Sequence, residues 1–379
     1  MREIIRVAGL VMATLSLASC AWFSSDDRNQ PTPLTTFTPQ LSASVAWRAP
    51  VGSGTSFGLA PAIVGDAVFA ASSNGNVARI DLATGATVWN KSVAKQLSAG
   101  VGSDGQVVVV ATPNGEVITL DADGNEKWRT KATSEINITP WVGSGVVVVR
   151  SGDYRVQAFN AVNGDRIWSV QRPGPALSLR APSRMMMTQN LIISGMPGGL
   201  LLAIEPATGA VVWEGIVAVA RGASDLERVN DVVGIPIAEG DKLCAVAYQG
   251  RIACFDVKTG GNTAWTHNFS SVTGMAADSR HVYVPDVRDN ISAFALADGK
   301  AIWRQDALRN RRVTEPAVSG NSVVLGDFEG YVHVLSADKG ELMARVTVGG
   351  GAMLAPTQSS PQGVVVQAGD SSISLIRLN

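Results

Sequence analysis

Charge is scarce in this 379-residue chain: only 17% of its residues are Asp, Glu, Lys or Arg, and the formal net charge is −1. A nucleic-acid partner calls for a concentrated basic footprint, so none is expected. Histidine is rarer still. His267, His281 and His333 are the whole supply, and their scatter has no metal-ligand spacing. No glycine loop carries a phosphate-binding signature. Helix-period stretches are few, while 39 glycines and many β-branched residues recur along the chain, which excludes a long helical architecture. The apolar run at the N-terminus, Val7 to Leu17, is too short to span a bilayer comfortably. These absences leave no catalytic constellation, no metal site and no cofactor site to expect.

The N-terminus reads as a targeting segment. Arg2 and Arg6 precede the apolar run, which ends in Leu17-Ala18-Ser19-Cys20. Small residues before such a cysteine resemble a bacterial lipobox. The resemblance implies a signal peptide over 1–19, cleavage before Cys20 and lipidation of that cysteine. Several acyl chains, at about 0.8 kcal/mol per buried CH₂, make a durable anchor. Ala21 follows the cysteine, where lipoproteins kept in the inner membrane commonly have Asp, so the resemblance points to the periplasmic face of the outer membrane. Residues 20–44 are polar and carry Pro31, Pro33 and Pro39, the composition of a flexible tether.

From residue 45 to 379 the chain repeats itself. Asn74-Gly75 leads through Asp81 and Thr84-Gly85 to Trp89, and Gly115 leads through Asp121 and Gly124 to Trp128. The same order recurs before Trp168, Trp213, Trp265 and Trp303, and a seventh unit has Ala344 at the tryptophan position. Each first glycine suits a hairpin turn that needs positive φ, and each Thr-Gly or Asn-Gly suits a second turn. A tryptophan on the fourth strand can fill the space between neighbouring sheets. A second marker counts the units again. Proline introduces a short apolar run at Pro61, Pro140, Pro182, Pro236, Pro316 and Pro356, and similar runs start near Gly100 and Met275. The fold class is therefore all-β: an eight-bladed β-propeller with four antiparallel strands per blade. The last unit ends at Ser371–Leu378 with no tryptophan strand after it, while Ser44-Val45-Ala46-Trp47-Arg48 is a lone one before the first unit. The N-terminal strand is expected to complete the last blade and close the ring.

The Gly…Asp…Thr-Gly…Trp repeat resembles that of the pyrroloquinoline-quinone-like propellers. The lipobox, the run Gly174–Arg180 and the run Asp225–Val232 narrow the resemblance to the outer-membrane protein assembly factor family, BamB. That implies a non-catalytic lipoprotein subunit of the β-barrel assembly machinery, bound to the periplasmic POTRA domains of BamA and aiding unfolded outer-membrane proteins. Quinone-dependent dehydrogenases share the repeat, but they need a cofactor pocket, a calcium ion and a catalytic Asp, and many have a disulfide of adjacent cysteines. This chain has no adjacent cysteine pair and lacks the long insertions that normally build such a pocket, and acids such as Asp81, Asp121, Glu205 and Asp256 sit mostly at turn positions. A generic periplasmic protein-binding scaffold is the remaining alternative.

Loop lengths mark where a partner would dock. From each tryptophan to the next inner strand the chain takes 11 residues (Trp89 to Gly100), 12 (Trp128 to Pro140), 14 (Trp168 to Pro182) and 23 (Trp213 to Pro236). These connections lie at one end of the ring, and the two unusual ones are consecutive, hence neighbours. Long loops on a rigid scaffold are where binding concentrates. Leu177 and Leu179 are bracketed by Pro173, Pro175 and Pro182, which lower the entropy lost on ordering. Arg180 offers a bidentate donor, and Asp231 a carboxylate nearby. The resemblance implies that Leu177, Leu179, Arg180 and Asp231 contact BamA. It also implies a second acid two positions on, where this chain has Val233. Asp225, Glu227 and Arg228 read as a solvated face.

Cys244 and Cys254 flank the hairpin at Tyr248-Gln249-Gly250. A two-residue turn would set Cys244 opposite Phe255, with the sulfurs on opposite faces. A three-residue turn would set it opposite Cys254. The first, with two free buried thiols, is the favoured expectation.

Overall fold

The computed structural model describes residues 29–379. The expected signal peptide, Cys20 and the first part of the expected tether lie outside them. Thirty-two strands, numbered in chain order from β1 (Ala43–Ala49) to β32 (Ile373–Leu378), form eight four-stranded antiparallel sheets. Seven are consecutive meanders. The first runs β2 (Ala62–Val64), β3 (Ala67–Ala71), β4 (Asn76–Asp81), β5 (Thr87–Ser92). The eighth has the order β1-β32-β31-β30, so the N-terminal strand closes the ring as the sequence implies. Second strands such as Val107–Ala111 and Val146–Arg150 are wholly buried, which is why they read as near-continuous valine. Pro236 departs from the expected pattern. It lies inside β18 (Val232–Glu239), where the register shifts between Val233 and Ile237, because proline has no N–H for the ladder.

The blades are joined by one repeated contact. The tryptophan of an outer strand lies against the turn glycine of the next blade and donates its indole N–H to a carbonyl there. Trp168 donates to Pro206 O at 2.7 Å, Trp128 to Ala161 O at 3.1 Å and Trp265 to Leu296 O at 2.8 Å. A Cβ on Gly209 would stand 2.6 Å from the Trp168 ring, so only glycine admits the indole. Trp213 faces a longer turn, with a 3₁₀ segment at Val257–Thr259, and rests on Gly261 instead of Gly260.

The seventh joint lacks a tryptophan for a topological reason. In the eighth sheet the outer strand comes from the N-terminal part of the chain, so no turn connects β32 to β1 and no glycine waits to receive a ring. Residues before β1 fill the space. Gln40 and Leu41 N–H both donate to Met343 O, at 2.9 and 3.3 Å, and Leu41, Ala43 and Leu378 pack against the cluster holding Ala344.

Further back, the segment expected to be tether lies along the seventh blade. Thr32 N–H donates to Arg309 O at 2.9 Å, Arg311 donates to Thr32 O at 3.0 Å, and Arg345 donates to Thr35 O at 3.0 Å. The Arg345 guanidinium sits 5.2 Å from the centre of the Phe37 ring. Both arginines are braced from beneath. Arg311 Nε and His333 Nε2 each lie 2.9 Å from Asp327 Oδ2, and Arg345 Nε donates to His333 Nδ1 at 3.3 Å.

The hairpin between β19 (Lys242–Ala247) and β20 (Gly250–Asp256) corrects the cysteine expectation. Its register pairs Cys244 with Cys254, and the two form a disulfide. Gln249, at φ 45°, is the centre of the pairing, so the connection is one residue longer than the favoured turn and both sulfurs share a face.

Two outcomes follow from these contacts. Gly209→Ala lowers the thermal midpoint well beyond Gly240→Ala, measured by circular dichroism. Both glycines have positive φ, but nothing lies within 4 Å of the Cβ position at Gly240. The second concerns pH. Burial holds His333 below its ordinary 6.5, against the opposing pull of Asp327, and its Nδ1 already accepts a bond from Arg345. The unfolded chain therefore takes up a proton near pH 6.5 that the folded chain resists. This contribution is complete above that pH and shrinks below it, by at most about 1.4 kcal/mol per pH unit. Urea unfolding at stepped pH measures the slope, and His333→Gln flattens it.

Candidate protein-docking site

The two unusual connections are residues 172–184, between β13 (Arg166–Gln171) and β14 (Met185–Thr188), and residues 217–231, between β17 (Val211–Ile216) and β18. They meet through Asp231. Its Oδ2 accepts the Leu179 N–H at 2.5 Å, and its Oδ1 accepts the Gly198 N–H at 3.0 Å. Its carbonyl accepts from Tyr248 N at 2.9 Å, which ties the same residue to the fifth blade. The first loop is held at its start as well. Tyr154 Oη donates to Pro175 O at 3.1 Å, and Arg172 pairs with Glu214.

Beside the loops the inner strands crowd together. Gly234 N donates to Pro182 O at 2.8 Å, and Arg184 N donates to Gly234 O at 3.1 Å. Arg184 then reaches across to Glu315 of the seventh blade, 3.3 Å away, and Glu315 also accepts the Ile235 N–H at 3.1 Å. Burial raises the Glu315 pKa, and Arg184 and the Ile235 N–H oppose that rise. This ion pair links blades four and seven, so the loop-bearing end has a braced centre.

The expected residues fall into two groups. Leu177 is 47% exposed and Arg180 is exposed, so both lie open at the rim. Leu179 is half-buried against the cluster that contains Val233. Asp231 is only 4% exposed, and both its oxygens are occupied by backbone N–H groups. Its carboxylate is less offered to a partner than used to hold the loop that bears Leu177 and Arg180. Burial raises the Asp231 pKa, while the two N–H donors and nearby Arg150 oppose the rise. Val233 is buried, and Asp225, Glu227 and Arg228 are exposed.

A cavity of about 100 Å³ opens beside the loop, lined by Phe57, Ile138, Arg150, Tyr154, Leu179 and Asp231 among others. Loop lengths alone point to none of the first four. Arg150 did leave a signal: it is the one charged residue of an otherwise all-valine second strand. Burial pushes its guanidinium down to about 10, against the raising influence of Asp231 and Tyr154. Among the described residues no group of three or more His, Cys, Asp or Glu is placed to hold a metal ion.

Eight four-stranded blades, seven of their joints indole-on-glycine, and a loop pair braced at one end define a β-propeller of the quinone-like repeat class. A family model described as outer membrane protein assembly factor BamB matches residues 73–305 and 287–379. The outer membrane protein assembly factor BamB of Bordetella pertussis is 54% identical over 375 residues, covering 99% of this chain and 97% of the relative. That of Burkholderia pseudomallei is 39% identical over 362 residues, covering 95% and 94%. The chain belongs to the BamB family. In fold it is similar to the crystal structure of BamB from Moraxella catarrhalis, with a TM-score of 0.82 at 23% identity, covering 89% of this chain and all of that one.

The bracing role of Asp231 has a measurable consequence. Asp231→Ala leaves two buried N–H groups without acceptors, at about 1–3 kcal/mol each. Hydrogen-exchange mass spectrometry reads it as faster exchange at Leu179 and Gly198, with no change in Asp225→Ala.

Proposed function

We propose that the chain is a non-catalytic scaffold subunit of the outer-membrane β-barrel assembly machinery. It docks the periplasmic POTRA domains of BamA through the loops 172–184 and 217–231, and so aids the folding and insertion of unfolded outer-membrane proteins. A lipid on Cys20 holds it at the periplasmic face of the outer membrane.

Family membership supports the assembly role. The observation that carries the docking site is the bond from Leu179 N–H to Asp231, which fuses the two neighbouring loops into one surface. Leu177 then supplies exposed apolar area at low ordering cost, because its loop is already tied at Tyr154 and Asp231. Arg180 supplies a planar donor of the kind enriched at interfaces. An interface draws most of its energy from a few such residues.

Leu177→Ala combined with Arg180→Ala leaves circular dichroism and the thermal midpoint unchanged and abolishes co-purification of BamA. Undiminished recovery of BamA with the double variant overturns the site.

A further inference from the structure

The cavity beside the loop is lined by four charged groups, and they are not equally engaged. Asp231 accepts two backbone N–H groups. Glu135 accepts the Ser134 hydroxyl, and its pKa lies below the usual range through that bond and its own backbone N–H. The two guanidinium groups stand differently. Among the described residues the Arg150 side chain makes no hydrogen bond and no ion pair within 4 Å, although the residue is only 7% exposed. Arg180 lines the same cavity, is exposed and is likewise without a bonded partner among the described residues. The uncommitted charged groups facing this space are therefore both donors, one at its base and one exposed.

A buried guanidinium has five N–H donors in a planar fork and no acceptor capacity. Leaving such donors unmatched in a desolvated place is costly, and a carboxylate matches the fork in two parallel bonds. The walls include Phe57, Ile138 and Leu179, which shield such a pair from solvent and so strengthen it. The space of about 100 Å³ is on the scale of a single side chain rather than a cofactor.

We propose that this cavity is a socket for one acidic side chain of the docking partner, which enters past Arg180 and pairs with the guanidinium of Arg150. The proposal rests on the reading of this rim as the docking surface and names the chemistry of its partner. Arg150 is the receptor at the base, and the loop around Leu177 is the apolar collar around the entry.

The test uses the full chain in detergent and the purified periplasmic region of the proposed partner, with affinity measured by calorimetry. Arg150→Met weakens binding by at least about tenfold while circular dichroism and the thermal midpoint hold, and Arg150→Lys gives an intermediate loss. Each Asp and Glu of the partner fragment is then changed singly to Asn or Gln. One of these changes weakens binding to the unmodified chain and has no further effect on Arg150→Met, the signature of a direct pair. Two outcomes overturn the socket: Arg150→Met binds as the unmodified chain does, as expected if solvent alone fills the cavity, or its loss of binding comes with a lowered midpoint and no coupled acid. Failure of the unmodified chain to bind at all would instead overturn the docking reading itself.

Discussion

The ring depends on an indole lying where only a glycine leaves room. At each such joint the tryptophan covers the turn of the next blade, and at all but the Trp213 joint its N–H also finds a carbonyl there, so apolar contact and a directed bond act together. The arrangement explains two sequence features at once, the spacing of the tryptophans and the insistence on glycine in the following turn. It also explains the exception. Where the ring is closed by a strand from the other end of the chain, there is no turn to cover, and Ala344 is met by Leu41 and Leu378.

A rigid ring is what makes two loops behave as one surface. Residues 172–184 and 217–231 come from different blades, yet a single carboxylate spans them, and the Arg184–Glu315 pair braces the centre behind them. The carboxylates here are buried, and both Asp231 and Glu315 accept backbone N–H groups. Arg150 stands apart: it adds nothing evident to the cohesion of the ring, and that gives its position meaning.

The architecture was legible in the sequence because propeller repeats are set by local rules. Turn glycines, buried valine strands and outer tryptophans each follow from turn geometry or burial, and a strand such as Val146–Arg150, four valines and an arginine, shows its burial in its composition. The two long connections and their adjacency were legible too, since insertion length survives in the sequence. What was not legible depends on long-range or one-residue effects. The disulfide hinged on whether Gln249 takes a positive φ, and composition does not fix that. The burial of Asp231 comes from Leu179 and Gly198, tens of residues away. The docking of residues 30–41 on the seventh blade comes from arginines almost three hundred positions later.

That docked segment also governs how the molecule hangs. It runs from Met343 up the outer strand to Arg309 and Arg311, whose connection lies at the same end of the ring as the two long loops. From Asn29 back to Cys20 is nine residues, a reach of at most about 30 Å. With an acyl group on that cysteine, the leash is short and leaves from the loop-bearing side. Under the proposed lipidation and docking, the ring would hang by the edge of the same face that meets its partner, and that contact would be made close to the membrane surface.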